Sequence, residues 1–261
     1  MAARAIWKGE LKLDSTRIPV ALYSAVVDRT VHFHILEERT KTRVKQHMVN
    51  PENNKEIPSD EIQKGYEIEP GTFVILTDEE LEGLQPEASR EIEITRFVAP
   101  GHVNSQLYDR PYYLGPDGDQ KAYFAFAEAL ATQEREGFAR WVMRGKEYIG
   151  AVQAHEGYLM LVTLRHPEEV VAAEDLPSPG GRAPDKKELT MAKQLVGMLD
   201  AEFDPAEFHD EYRERVMKFI ETKAKGKAPK LHSVRAKRAP SKLDKVLSKS
   251  IEALKREKAA A

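Results

Sequence analysis

The sequence predicts a mainly β fold with added α-helices, and three observations carry that class. Residues 137–166 read as three consecutive antiparallel strands, at 138–143, 148–154 and 158–165. The turns between them, Arg144-Gly145-Lys146 and His155-Glu156-Gly157, are short and each offers a glycine for a positive φ. Elsewhere the apolar residues mostly recur at period two in short runs, while helical spacing is confined to a few stretches that open on capping signals.

Side chains alternate across a strand. In the first of the three strands Ala139, Trp141 and Met143 share one face, and Phe138, Arg140, Val142 and Arg144 share the other. Trp141 needs a core, whereas Arg140 and Arg144 need anions or water. The third strand, Tyr-Leu-Met-Leu-Val-Thr-Leu, is apolar on both faces, as suits a central strand covered on both sides.

The 261 residues suffice for one large or two small domains, and 41% hydrophobic content supports a sizeable core. No cysteine is present, which excludes disulfides and thiolate metal sites. No apolar run approaches the ~18–20 residues that span a bilayer, and MAARAIWKGEL lacks the apolar segment of a secretory signal. The net charge of −3 hides an asymmetry. Residues 222–261 hold 13 Lys or Arg against 3 Asp or Glu, a surplus of +10; the rest holds 27 against 40, or −13. An acidic body with a basic tail is a nucleic-acid-binding pattern, although a tail that only solubilises would look the same.

Taken in order, residues 5–13 and 18–27 form two strands around a turn at 14–17, with Pro19 near a strand start where a missing N–H is tolerated. His32-Phe33-His34-Ile35-Leu36 alternates again. Two histidines on one strand face fall short of the four ligands of a structural metal site. Residues 38–65 are polar and too poor in large apolar side chains to carry a core. Lys41, Arg43 and Lys45 would share one face of a strand, with Lys64 further on. Such a row either guards an exposed edge or lies along phosphates. Strand pattern returns at 67–69 and 72–76 around Pro70-Gly71, followed by a capping box at 77–80 and a short helix to Leu84.

Residues 90–98 form another strand, with Ile92 and Ile94 on one face, and 109–114 a turn and short strand. Residues 119–133 form a helix whose Tyr123, Phe126, Ala127 and Leu130 make a core-facing stripe. After the three strands, 167–184 is a proline-rich linker. A second capping box, Asp185 to Glu188, opens a helix to about residue 200 with Leu189, Ala192, Leu195, Val196 and Leu199 on one face. Asp204-Pro205 opens a further helix with Phe208, Tyr212, Val216, Phe219 and Ile220 as its stripe. These faces either fold onto the barrel or grip a partner subunit. The segment 223–241 is too basic to fold alone, and its Lys225, Lys227, Lys230, Arg235, Lys237 and Arg238 are candidate DNA contacts. Leu243, Val246, Leu247, Ile251 and Leu254 then fall at helical spacing among lysines, a short basic amphipathic helix suited to DNA, a partner's groove or a membrane surface. There is no phosphate-binding loop, no G-x-S-x-G elbow and no H-E-x-x-H helix, which argues against an enzyme.

Several long runs together resemble the prokaryotic Ku family: AIWKGEL, RIPVALYSAV, HFHILE, GYEIEPGTFVILTDEEL, YDRPYYLGPD, ARWVMRGKEY and FDPAEFHDEYRE, in that order over most of residues 3–225. The resemblance implies a Ku-type β-barrel core at 1–180 with an inserted bridge arm at about 28–75. It implies a C-terminal helical arm at 185–222 that pairs subunits, and a basic tail at 223–261. An arm of roughly 40 residues folded back on itself reaches about 60 Å, ample to arch over a duplex. The family implies a non-enzymatic homodimeric ring, without metal or cofactor. The ring would thread onto double-stranded DNA ends in the cytoplasm, at the nucleoid, and recruit an ATP-dependent multi-domain DNA ligase. The expected phosphate contacts are Lys41, Arg43, Lys45, Lys64, Arg140, Arg144 and Lys146; the tail helix is the expected ligase contact. One departure stands out: after Gly9 the chain reads ELKLDSTRIPV, where the family usually has an apolar, glycine-containing stretch. The rival readings are a general nucleic-acid or chromosome-coating protein acting through its tail, and a barrel enzyme or small-ligand carrier.

Overall fold

The computed structural model describes residues 4–178, 180, 183–226, 247 and 250–252. The chain divides into two compact units, one of Met1–Arg29 with His34–Asp175, the other of Thr30–Phe33 with Leu176–Ala261.

Seven strands of the first unit close into a barrel. They are β1 (Trp7–Leu13), β2 (Thr16–Ser24), β5 (Glu91–Val98), β6 (Tyr108–Pro116), β7 (Glu136–Met143), β8 (Lys146–His155) and β9 (Tyr158–Leu164), in the order β1-β2-β6-β9-β8-β7-β5. All neighbours are antiparallel except the closing pair, where Glu10 of β1 lies opposite Glu91 of β5 in parallel register. Leu11, Val20, Leu22, Ile92, Leu114, Val152, Leu159 and Leu161 fill the interior. In β1 and β5 these alternate with outward polar residues, the two-residue period of a strand buried on one side, while β9 is buried on both faces over Leu161–Leu164.

Helix α2 (Gln120–Thr132) follows β6 and is capped by Asp119, whose carboxylate accepts from the N–H of Ala122. Tyr123, Ala127 and Leu130 form its buried stripe, as the spacing predicts, and Phe126 is partly buried against the same core. The Tyr123 hydroxyl donates to the carbonyl of Leu114 and accepts from the N–H of Leu159 at 2.8 Å. One phenol thus ties the helix to two strands. Two glycines are required by close approach. A Cβ on Gly9 would lie 2.2 Å from the Arg90 carbonyl, and one on Gly150 2.7 Å from the Val162 carbonyl, so neither backbone admits a side chain.

Residues 25–90 interrupt the barrel between β2 and β5. They carry a two-stranded antiparallel sheet, β3 (Lys64–Glu69) with β4 (Thr72–Leu76), turning at Gly71. Thr77 and Glu80 make the predicted reciprocal cap on α1 (Asp78–Gly83).

The expected strand at His32–Leu36 does not form. Residues 34–58 instead make two miniature hairpins, each held by one bridge, Leu36 opposite Arg43 and Val49 opposite Glu56. Lys41 and Asn54 sit in the left-handed region at φ 58° and 55° inside these turns. The local alternation is real, but a strand needs a neighbour, and this segment has too few apolar side chains to hold one.

In the second unit, α3 (Lys186–Met198) begins on the predicted Asp185–Glu188 box. The next helix starts later than predicted. Pro205–Glu207 is a single 3-10 turn capped by Asp204, and α4 (Glu211–Ala224) begins after a second cap at Asp210. Phe208 therefore lies outside the helix. The Asp204 carboxylate spends its capping capacity on a turn that His209 and Asp210 do not continue.

Candidate nucleic-acid interface

Strand direction brings one end of the barrel together from distant parts of the chain. Trp7 at the start of β1 pairs with Leu22 near the end of β2. The start of β5 lies beside β1, and β7 runs antiparallel to β5, so the 144–145 turn falls at the same end. β6 begins there too, with Tyr108 opposite Leu164. The inserted segment leaves this rim at Ser24 and rejoins it at Arg90. Two further arginines attend the root. Arg110 lies over the Tyr112 ring and donates to Ser24 Oγ at 3.5 Å. The Arg165 guanidinium donates to the Gln106 and Tyr108 carbonyls and to the Asp109 carboxylate, fixing the chain that enters β6.

Several cations of the barrel wall are engaged by carboxylates. Lys12 reaches Glu91 at 3.0 Å and Glu93 at 3.6 Å, Arg17 pairs with Glu10 and Glu91, and Lys8 pairs with Asp117 at 2.8 Å. Hydrogen bonds from Lys12 and Arg17 hold the Glu91 carboxyl below the usual range. Glu10 and Lys12 of β1 and Arg17 of β2 hold the positions that form this ladder. Exposed pairs of this kind add little stability, but they neutralise one another.

Arg140 proves to be part of the same surface. Its guanidinium donates twice to Glu147 Oε1, at 2.6 and 3.0 Å, and that bond, then the charge of Glu147, raises its pKa. Lys64 is paired with Asp78 at 2.8 Å. Arg144, at φ 54° in the β7–β8 turn, and Lys146 are exposed and have no carboxylate partner among the described residues. The same holds for Lys41, Arg43 and Lys45 on the inserted segment. They do not share a strand face, because Lys41 lies in a turn closed by its own N–H to the Glu37 carbonyl and by Glu37 N–H to the Thr42 carbonyl. Arg90 joins this unpaired set. Sequence reasoning missed it, and the only signal was its place at the strand start where the insertion ends.

Away from the cations, Tyr108 donates to the buried Glu136 at 2.6 Å. Burial, then that carboxylate, pushes the phenol up to about 12, so it remains a donor at neutral pH. Among the described residues no group of His, Asp and Glu could hold a metal ion, and no helix is long and apolar enough to cross a membrane.

The sequence model of the Ku70/Ku80 beta-barrel domain matches residues 12–191, which takes in the end of β1, the other six barrel strands, the insertion and the first six residues of α3. The chain belongs to the Ku family. It is 38% identical over 230 residues to "Non-homologous end joining protein Ku 1" of Geotalea uraniireducens (strain Rf4), covering 88% of each chain. It is 36% identical to the Ku of Coxiella burnetii (strain RSA 331 / Henzerling II) over 86% of this chain and 84% of that one. The Ku of Archaeoglobus fulgidus is 34% identical over 86% and 89%.

Of the remaining expected contacts, Lys225 is exposed at the end of α4. Leu247 and Ile251 are helical, the first buried and the second half-buried. Lys227, Lys230, Arg235, Lys237, Arg238, Leu243, Val246 and Leu254 lie outside the described residues.

Proposed function

We propose that this Ku protein binds double-stranded DNA ends without sequence preference, as a ring-shaped homodimer and not as an enzyme. It would recruit an ATP-dependent multi-domain DNA ligase to join breaks. The observation that carries the reading is the arm itself: it springs from a barrel rim, bears unpaired cations, and exposes apolar side chains on both faces of its β3–β4 sheet. Tyr66, Ile68 and Phe73 are 68%, 58% and 56% exposed. A lone two-stranded sheet is marginal in water, so a second copy is the natural cover. The exposed Leu189, Val196 and Leu199 of the α3 stripe and the exposed Tyr212 and Ile220 of α4 offer further dimer surface in the 185–222 arm. The segment 243–254 is the ligase contact in this reading, and the nucleoid the place of action.

Phosphate contacts position a protein without reading sequence. A closed ring is entered only from an end, so topology supplies the end preference. A linear duplex is expected to compete for binding far better than a covalently closed circle of equal sequence in a gel shift. Equal competition would sink the ring. The rival reading places all binding in the tail. It expects deletion of residues 223–261 to abolish binding, whereas the ring retains its preference for ends.

Salt separates the two classes of cation. Replacing Lys41, Arg43 and Lys45 with glutamine is expected to flatten the slope of log K against log salt by about 0.9 per lost phosphate contact. Lys12→Gln, which removes a cation already paired, should leave the slope unchanged. A titration of each variant across salt concentrations checks both.

A further inference from the structure

At the arm root lies a cleft between the segment that rejoins the barrel and the β7–β8 turn, lined chiefly by Trp7, Gln85, Pro86, Arg90, Val142 and Arg144. Lys8 also borders it, but its ammonium is held by Asp117. The two arginines are exposed and carry no carboxylate partner among the described residues, whereas Lys12, Arg17 and Arg140 of the barrel wall are paired. The floor is tight: Gly145 turns at φ 72°, and a Cβ there would meet the Gln85 side-chain oxygen at 2.2 Å. Trp7 is folded over Gly9, which leaves its ring partly exposed at the cleft.

We infer that this cleft takes one unstacked nucleotide of a single-stranded DNA end, its phosphate on Arg90 and Arg144 and its base against Trp7 and Pro86. A duplex keeps its bases inside the stack and offers phosphates on ridges, for which an open basic surface suffices. A concavity that sets an indole and a proline beside two guanidiniums matches a nucleotide whose base is free. The Gln85 amide supplies a donor and an acceptor at the same place, suited to a base edge. The inference deepens the end-binding reading and rests on it: a protein that accepts broken ends also meets their overhangs.

The test uses the full chain and two duplexes of equal length, one blunt and one with a short single-stranded overhang, followed by anisotropy at one salt concentration. The overhang is expected to bind at least roughly fivefold tighter, the gain of one stacked base. Arg90→Gln and Arg144→Gln are each expected to erase that gain, so that each variant binds the blunt and the overhang duplex alike. Tryptophan emission gives a second readout. The chain has two tryptophans, and Trp141 is buried against Tyr148, so a short single strand should quench Trp7. Equal affinity for both duplexes, or a gain that survives in both arginine variants, would overturn the inference. Failure of the end-binding reading would show instead as equal competition by circles, whatever the overhang does.

Discussion

Replacing Tyr66 and Phe73 with aspartate is expected to convert a dimer into monomers and to abolish end binding. Tyr66 faces Val74 across the β3–β4 pair, and Phe73 faces Glu67. The two substitutions therefore strike opposite faces of one sheet. Both side chains are more than half exposed in the single chain, so little of its own core is lost. In a dimer each aromatic ring would bury apolar surface worth about 1.5–3 kcal/mol. A carboxylate in the same place adds a desolvation cost of several kcal/mol. Together these exceed ~5 kcal/mol, more than a thousandfold in association. Sedimentation gives the oligomeric state and a gel shift the binding. A double variant that stays dimeric would show that the arm sheet is not the contact.

Tyr123→Ala is expected to remove most of the stability of the barrel unit. Tyr123 is fully buried, and its loss leaves a cavity where α2 meets the strands. Large-to-small changes of this kind cost about 3–5 kcal/mol. The lost hydroxyl also strands the N–H of Leu159, at about 1–3 kcal/mol more. A domain is held by only ~5–15 kcal/mol in all. Tyr123→Phe isolates the second part and should cost about 1–3 kcal/mol, with the packing kept. Urea denaturation measures both. A phenylalanine variant as stable as the parent would show that the phenol is not what ties α2 to β6 and β9. Burial raises the pKa of this phenol, so the tie persists across the neutral range.

The acidic body of a protein that binds DNA finds its explanation in the placement of pairs. The wall of the barrel uses Lys8, Lys12, Arg17 and Arg140 against its own carboxylates. Arg90, Arg144 and Lys146 at one rim, and Lys41, Arg43 and Lys45 on the inserted segment, have no carboxylate partner among the described residues. Net charge is a property of the whole chain, but a phosphate responds within about 10 Å under ordinary salt.

Much of this was legible in the residues. The three strands from 138 to 165, the stripe of α2 and the capping boxes at Thr77 and Asp185 all appear where the pattern puts them. The misses have one cause. His32–Leu36 alternates like a strand but has no partner, and Asp204-Pro205 opens like a helix but caps one turn. In each case the local signal was present and the neighbour was not.

The sequence by itself determined the elements, the charge split and the family, because periodicity, caps and serial motifs are properties of contiguous residues. Only the tertiary structure decided which cations are free. Arg140 was as good a candidate as Arg144 until register set it beside Glu147, and Arg90 was no candidate until the antiparallel β5–β7 pair carried it to the β7–β8 turn. A charge is neutralised or left available by groups within a few ångströms of it, and in a closed barrel those groups come from strands far apart in the chain.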